Sequence, residues 1–219
     1  MKQPSRWTLA VVTLLPFLLV DSAFATIVGG EVTGGTSGGT FVKLAPPLAN
    51  PFGPPNSVGN DTFQSPNLFG FDEDQNVVLV APLTVDVGSS PLNAGTILAS
   101  HYVFFDPGPD QSVVGTVNFD ADVLAIITST SNLANSDFLA NTGINYLSPA
   151  LRGLEAGDAV TISGARQISF DVTAGTPGDY VRVLTAFSPS VPEPAALVLM
   201  GLGIAGMGLV GWRRRRTVS

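Results

Sequence analysis

The sequence predicts an all-β protein: an antiparallel β-sandwich of jelly-roll-like form, followed by a single C-terminal transmembrane helix. Between residues 67 and 187, short segments rich in Val, Ile, Thr and Phe alternate with turns that contain Gly, Pro and Asp. Seven or eight such strands at this spacing are typical of a sandwich. The chain contains no cysteine, so an apolar core has to stabilise this fold without disulfides.

Residues 1–25 have the three parts of a secretory signal peptide. Two basic residues precede the apolar segment 9–20, and small residues at Ala23 and Ala25 form a cleavage site. Twelve apolar residues are too few for a permanent anchor, which needs about 20. We therefore expect cleavage after Ala25 and export of the chain from Thr26 onward.

Residues 26–66 differ in composition from the sandwich segment. They contain eight glycines and six prolines in 41 residues. Ordering such a segment costs much conformational entropy, and it offers few large side chains to bury in return. We expect a flexible lead that acts as a spacer, with one short strand at residues 40–44, and the sequence leaves open whether this segment adds strands to the sandwich.

Residues 67–187 are predicted to form the sandwich domain. Its turns are marked by segments such as 106–109, 155–158 and 176–179, which combine Pro, Gly and Asp. One short helix is expected at 132–139. The predicted strands are 77–80, 83–87, 95–105, 113–119, 123–128, 160–162, 167–172 and 180–187.

The exported part of the chain is strongly acidic. Residues 26–190 contain fifteen acidic and four basic side chains, which give a net charge of −11. Nucleic-acid binding needs a basic surface that neutralises phosphates. The sequence therefore predicts no nucleic-acid partner.

His101 is the only histidine, and it follows Ser100 inside a predicted strand. Neighbouring residues on a strand point to opposite faces, so these two side chains cannot act together as base and nucleophile. Cysteine nucleophiles and thiolate metal sites are excluded because the chain has no cysteine. We expect His101 to be packed or hydrogen-bonded in the core, and we expect the protein not to be an enzyme.

Four aspartates in predicted turns are candidate Ca²⁺ ligands, because Ca²⁺ takes six to eight oxygen ligands from flexible loops. Asp72 and Asp74 are two positions apart, as are Asp120 and Asp122. Their spacing does not follow the helix-loop-helix Ca²⁺ motif, and aspartate is also common in turns for conformational reasons. A structural Ca²⁺ site and plain solvated turns are both compatible with the sequence.

Arg182 lies in an otherwise apolar strand that follows the Pro177-Gly178 turn. This dipeptide fits a type II turn, after which Tyr180 and Arg182 share one face of the strand. We expect Arg182 to pair with an acid on a neighbouring strand or to stack on Tyr180. Its predicted role is structural and not ligand binding.

The C-terminal tail has three parts. Pro192, Glu193 and Pro194 end a short extended stem, residues 188–194, and the uncharged segment 195–212 follows. Eighteen residues make about 27 Å of helix, close to the hydrocarbon thickness of about 30 Å. The last segment, 213–219, is expected to stay in the cytoplasm because of its four arginines, Arg213, Arg214, Arg215 and Arg216.

These tail residues resemble the PEP-CTERM sorting signal of Gram-negative bacteria, which combines a Pro-Glu-Pro motif, a glycine-rich span and terminal arginines. The resemblance covers residues 191–216. It implies recognition by an exosortase, a membrane-embedded cysteine transpeptidase-like enzyme that cuts near the motif. It further implies a precursor anchored in the inner membrane, which is then delivered to the cell surface or the exopolysaccharide matrix.

The sequence thus predicts a structural or adhesive surface protein, with exopolysaccharide as its partner and carbohydrate binding as one form of adhesion. A secreted carbohydrate-active hydrolase is an alternative, because paired carboxylates about 5–10 Å apart can cleave glycosides. Sugar-cleaving clefts usually present aromatic platforms, however, and residues 26–190 contain no tryptophan. A permanently anchored membrane protein is the other alternative.

Overall fold

The computed structural model describes residues 24–45 and 56–187, and these residues are mostly β structure, which confirms the predicted class. One helix, α1 (Thr130–Asn135), and two 3₁₀ turns, Asp137–Leu139 and Pro149–Leu151, interrupt the strands. The strands are β1 (Ile27–Gly35), β2 (Phe41–Lys43), β3 (Ser57–Val58), β4 (Leu68–Asp72), β5 (Val77–Val78), β6 (Val87–Gly88), β7 (Ile97–Phe105), β8 (Gln111–Phe119), β9 (Val123–Ile127), β10 (Asn145–Tyr146), β11 (Ala159–Gly164), β12 (Gln167–Ala174) and β13 (Asp179–Ala186).

Four strands form an antiparallel sheet in the order β1-β8-β12-β11. Along β8 and β12, buried residues such as Val113, Val117 and Phe170 alternate with more exposed ones. This period of two is typical of a sheet that packs on a core with one face and meets solvent with the other.

Seven strands form a second sheet in the order β2-β4-β7-β13-β9-β6, with β5 paired to the start of β7. Its pairs are antiparallel except β2 with β4, and β3 and β10 form a separate parallel pair. The structure thus departs from a purely antiparallel arrangement only in short strands. The central strands β7 and β13 are buried almost throughout, which indicates that this sheet is covered on both faces.

Two apolar cores account for that burial. The first lies between the sheets, where Ile27 and Phe170 of the four-stranded sheet pack with Val103 and Val183 of the seven-stranded sheet. The second lies on the opposite face of the seven-stranded sheet, where aromatic side chains of its strands meet Leu133 and neighbouring loops. Each large apolar side chain that becomes fully buried contributes about 1.5–3 kcal/mol.

The structure differs from the prediction of a flexible lead. Residues 27–35 form β1, a nine-residue edge strand that pairs with β8 from Ile27 opposite Phe119 to Gly35 opposite Val113. The glycines that favoured flexibility allow close packing instead, because a Cβ at Gly30 would lie 2.5 Å from Cγ of Phe41. The expected short strand at 40–44 is present as β2.

Several boundaries also differ from the prediction. Residues 83–87 contain only an isolated bridge between Leu83 and Leu92 and the first residue of β6. The helix expected at 132–139 is divided into α1 and the 3₁₀ turn Asp137–Leu139. Strand β4 was not predicted, although it borders β7 and positions Asp72.

Residues 1–23 of the predicted signal peptide and residues 188–219 lie outside the described residues. The predicted stem, the transmembrane helix at 195–212 and the basic segment 213–219 are therefore outside them too. Within residues 24–45 and 56–187, none of the helices has both the length and the apolar character that a membrane crossing requires.

Candidate functional site

His101 lies in the core between the sheets, and both of its ring nitrogens are hydrogen-bonded. Strand β7 places it opposite Asp72 of β4 and Val183 of β13. Its Nδ1 is 2.8 Å from Oδ1 of Asp72, and its Nε2 is 2.9 Å from Oγ1 of Thr185. A carboxylate, an imidazole and a hydroxyl are therefore hydrogen-bonded in the same order as in nucleophilic catalytic sites.

Two members of this trio, the imidazole and the hydroxyl, are fully buried. His101 and Thr185 are both 0% exposed, so a substrate has no access to the hydroxyl. Ser100 points to the opposite face of β7, as the strand geometry predicted, and donates to Oε2 of Glu73 at 2.6 Å. The hydrogen bonds of His101 hold β4, β7 and β13 in register.

Asp72 connects this trio to the start of the exported chain. Its carboxylate forms an ion pair with Nζ of Lys43 at 2.8 Å and accepts hydrogen bonds from the hydroxyl of Thr26 and the amide of Ile27 at 2.6 and 2.9 Å. Burial alone would raise the pKa of Asp72, but His101, Lys43 and Thr26 together hold that pKa well below its ordinary value. Asp72 is therefore ionised at neutral pH.

Asp120 lies close to the same point but makes different contacts. Its Oδ1 accepts a hydrogen bond from the amide of Thr26 at 2.7 Å, and its own amide donates to the carbonyl of Thr26 at 3.1 Å. Asp72 and Asp120 thus meet at Thr26. Donors of the protein itself occupy both oxygens of Asp72, and a Ca²⁺ site at these two residues stays a prediction.

The other two candidate Ca²⁺ ligands lie apart from this point. Asp122 pairs with Nε of Arg166 at 3.0 Å, and both side chains are exposed. The amide of Asp74 donates to the carbonyl of Leu139 at 3.2 Å. Among the residues that the structure describes, no group of three or more His, Cys, Asp or Glu side chains is arranged to hold a metal ion.

A second polar cluster lies on the other face of the seven-stranded sheet. Arg182 of β13 forms two parallel contacts with Glu73: Nε to Oε2 at 2.7 Å and Nη2 to Oε1 at 3.0 Å. Both side chains are fully buried. Arg182 pairs with an acid, as predicted, but Glu73 follows β4, which β7 separates from β13. The ring that Arg182 faces is Tyr102, 5.7 Å away, and not Tyr180. Tyr102 is the direct cross-strand neighbour of Arg182, whereas Tyr180 stacks on Phe104.

Further side chains complete this cluster. Tyr146 donates to Oε1 of Glu73 at 2.6 Å, and Nη1 of Arg182 donates to the hydroxyl of Ser136 at 2.6 Å. Arg152 forms a two-pronged pair with Asp137 at 2.7 and 2.9 Å. Burial would lower the pKa of Arg182, but the Glu73 carboxylate raises it above its ordinary value. The cluster ties the end of α1 and strand β10 to the sheet.

Two further buried aspartates have incomplete hydrogen bonding. Oδ1 of Asp106 and Oδ2 of Asp179 have no partner among the described residues. Burial raises the pKa of Asp106 to about 6. Burial, together with the negative charges of Asp158 and Glu155, raises the pKa of Asp179 to about 8. Both carboxyl groups therefore favour the neutral form over part of the physiological pH range.

Sequence reasoning identified His101 and Arg182 as structural residues, and both are buried with partners. It did not identify Glu73 as the partner of Arg182 or Thr185 as the partner of His101. A charged residue inside an apolar strand indicates a buried partner of opposite charge, because an unpaired buried charge is costly. The sequence does not show which strands are neighbours, so it could not select Glu73 from several acids.

The comparisons with known proteins concern the tail. No curated protein and no solved structure matches the chain. A family model described as the PEP-CTERM protein-sorting motif matches residues 190–216, a segment outside the described part of the structure that includes Pro192, Glu193 and Pro194. The motif marks an exported protein that is anchored in the membrane before an exosortase-type enzyme processes it. The chain carries a PEP-CTERM protein-sorting motif at its C terminus.

Proposed function

We propose that the protein is a structural or adhesive component of the cell surface or the exopolysaccharide matrix. The observation that carries this proposal is the sorting motif at residues 190–216. Its outer domain is a β-sandwich of jelly-roll-like form, and exopolysaccharide is its partner, with carbohydrate binding as one form of adhesion. The segment 195–212 spans the inner membrane until processing releases the domain.

A non-enzymatic role is part of this proposal. It is supported by the burial of His101 and Thr185, which leaves no open path to their hydrogen-bonded pair. It is also supported by the cluster around Glu73 and Arg182, whose partners belong to the protein itself. Both clusters connect strands and loops, as the core of a durable matrix protein requires.

The sorting route is tested by the intact mass and the cell fraction of the native protein. We expect a mature form that starts at Thr26, lacks the tail and is found at the surface or in the medium. A Glu193→Ala variant should keep the tail and remain in the inner membrane. Glu155→Ala is the matched control, because Glu155 is an exposed acid of the outer domain, far from the motif in sequence.

Retention of the wild-type tail in the inner membrane, unchanged by Glu193→Ala, would contradict the proposed route and favour a permanently anchored protein. Binding is tested separately with exopolysaccharide purified from the producing cells. We expect the released domain to co-sediment with that polysaccharide and to liberate no sugar from it. Liberation of sugar that an Asp→Asn variant abolishes would instead identify a hydrolase.

A further inference from the structure

The predicted first residue of the exported chain, Thr26, lies beside two carboxylates. Its backbone nitrogen is 2.7 Å from Oδ1 of Asp120, and its hydroxyl is 2.6 Å from Oδ2 of Asp72. Asp72 already has a cation in Lys43 and a second partner in His101. Asp120, in contrast, forms no ion pair with any described side chain.

Removal of the signal peptide changes the chemistry of that nitrogen. Hydrolysis of the Ala25–Thr26 peptide bond adds water: the hydroxyl goes to the carbonyl carbon of Ala25, and a proton goes to the nitrogen of Thr26. An amide that carries one hydrogen and no charge becomes an α-amino group. Such groups have an ordinary pKa of about 7.7–8.0, so this one is largely protonated at neutral pH.

We propose that cleavage after Ala25 creates an ion pair between the new α-ammonium group of Thr26 and the carboxylate of Asp120, and that this pair fastens β1 to its sheet. The inference rests on the export step of the proposed function. Ile27, the first residue of β1, pairs with Phe119, which directly precedes Asp120. The ion pair therefore forms at the end of the β1–β8 ladder, where an edge strand would otherwise fray.

Cleavage also removes a contact, so the two effects oppose each other. Ala25 is fully buried and packs with Ala99 and Ala121. A chain that begins at Ala25 keeps this methyl contact but has an uncharged amide at Thr26. Its α-ammonium group is on Ala25, one residue earlier, whereas a chain that begins at Thr26 loses the contact and carries the α-ammonium group on the nitrogen beside Asp120. The relative stability of these two chains therefore shows which effect is larger.

The test compares the two chains, each extended to the native C terminus and prepared without a residual tag, with Asp120 and with the Asp120→Asn substitution. We expect the chain that begins at Thr26 to melt about 2–4 °C higher than the chain that begins at Ala25. Asp120→Asn should abolish or reverse this difference. The part of the difference that depends on Asp120 should be fully present below the ordinary pKa of the amine. It should be lost as pH rises through the higher pKa of the paired amine.

The effect of the α-amino group can be distinguished from the effects of the surrounding charged groups. Asp72, Lys43 and His101 are common to both chains, so the two chains differ only at the N-terminal residue. Lys43 is the only lysine after residue 25, so isotope-labelled spectra contain one other amine signal. An α-amino pKa above 8 in the Asp120 chain that falls on Asp120→Asn substitution would support the pair.

A melting-temperature difference between the two chains that Asp120→Asn leaves unchanged would overturn the proposal. A native protein whose first residue is not Thr26 would overturn it as well. The mass of the N-terminal peptide identifies the first residue whether or not the C-terminal tail is cleaved. Failure of this inference can therefore be distinguished from failure of the sorting route, which Glu193→Ala tests.

Discussion

Arg182 shows how a charged side chain is accommodated inside a sheet. Removing a guanidinium from water costs several kcal/mol unless a well-aligned counter-ion and further hydrogen bonds replace the lost solvation. Glu73 supplies two contacts, and Ser136 and the carbonyl of Leu133 accept from Nη1. Removing one partner leaves the other charge buried and unpaired, and this lowers the stability of the fold by far more than the intact pair adds to it.

Removing the charge of Arg182 should therefore destabilise the protein strongly. Arg182→Met leaves the buried Glu73 carboxylate without its cation, and we expect a loss of about 3–5 kcal/mol in the free energy of unfolding. Arg166→Met is the matched control, because it removes an exposed pair with Asp122 and should cost about 0–1 kcal/mol. Denaturant unfolding measures both changes.

A second variant separates the effect of the unpaired charge from the effect of the changed side-chain packing. Replacing both Arg182 and Glu73 by methionine removes the uncompensated charge and retains apolar volume. We expect the double variant to regain much of the stability lost by Arg182→Met. A double variant that is less stable than the single one, or an Arg182→Met loss no larger than that of Arg166→Met, would contradict this account of the buried pair.

At the scale of elements, β1 differs most from what composition indicates. Its four glycines are Gly29, Gly30, Gly34 and Gly35, and they suggest a flexible chain when each is counted equally. In the structure, two adjacent glycines have opposite environments. A Cβ at Gly30 would lie 2.5 Å from Cγ of Phe41 and 2.7 Å from the carbonyl of Thr116, whereas one at Gly29 would meet nothing within 4 Å.

This contrast predicts different results for the same substitution at neighbouring positions. Gly30→Ala should cost about 1–3 kcal/mol, because Phe41 and the backbone of β8 must move apart to admit the methyl group. Gly29→Ala should be neutral or slightly stabilising, because alanine reduces the entropy of the unfolded chain. Thermal unfolding of both variants checks the prediction. Equal effects at the two positions would indicate that residues 27–35 do not pack as β1.

Sequence reasoning placed the strands around β7, β8, β9, β12 and β13 well, because their alternating or continuous apolar patterns are long. It missed β4, which has five residues and a central glycine, Gly70. The partner of each buried polar residue depends on strand order. Glu73 reaches Arg182 because β4 and β13 both border β7, and no local pattern contains that information.

At the scale of the whole molecule, the seven-stranded sheet belongs to both cores. Its side chains alternate between the core shared with the four-stranded sheet and the core beneath the loops and α1. The buried polar clusters lie on either side of this sheet, with His101 facing one core and Arg182 facing the other.

Buried carboxyl groups with opposite pKa shifts should limit stability at both ends of the pH range. The pKa of Asp72 is lowered, so its stabilising contribution is present above its ordinary pKa and is lost as pH falls through the lower folded value. Asp179 has a pKa raised to about 8, so its contribution is complete below its ordinary pKa and is lost as pH rises toward 8. Together they place maximum stability near pH 4–5, roughly at the ordinary pKa of aspartate.

Substitution of Asp179 should change the alkaline side of this curve alone. Asp179→Asn removes the carboxyl group that must ionise in a buried site, so we expect a higher melting temperature than wild type at pH 8 and a flatter decline between pH 5 and 8. Asp171→Asn, at an exposed position of β12, is the control and should follow the wild-type profile. A wild-type melting temperature that rises from pH 5 to 8, or an Asp179→Asn profile parallel to it, would show that Asp179 is ionised in the folded protein at little cost. The stabilisation by the α-amino pair of Thr26 and Asp120 is lost only as pH rises above about 8, so the two effects separate along the same titration.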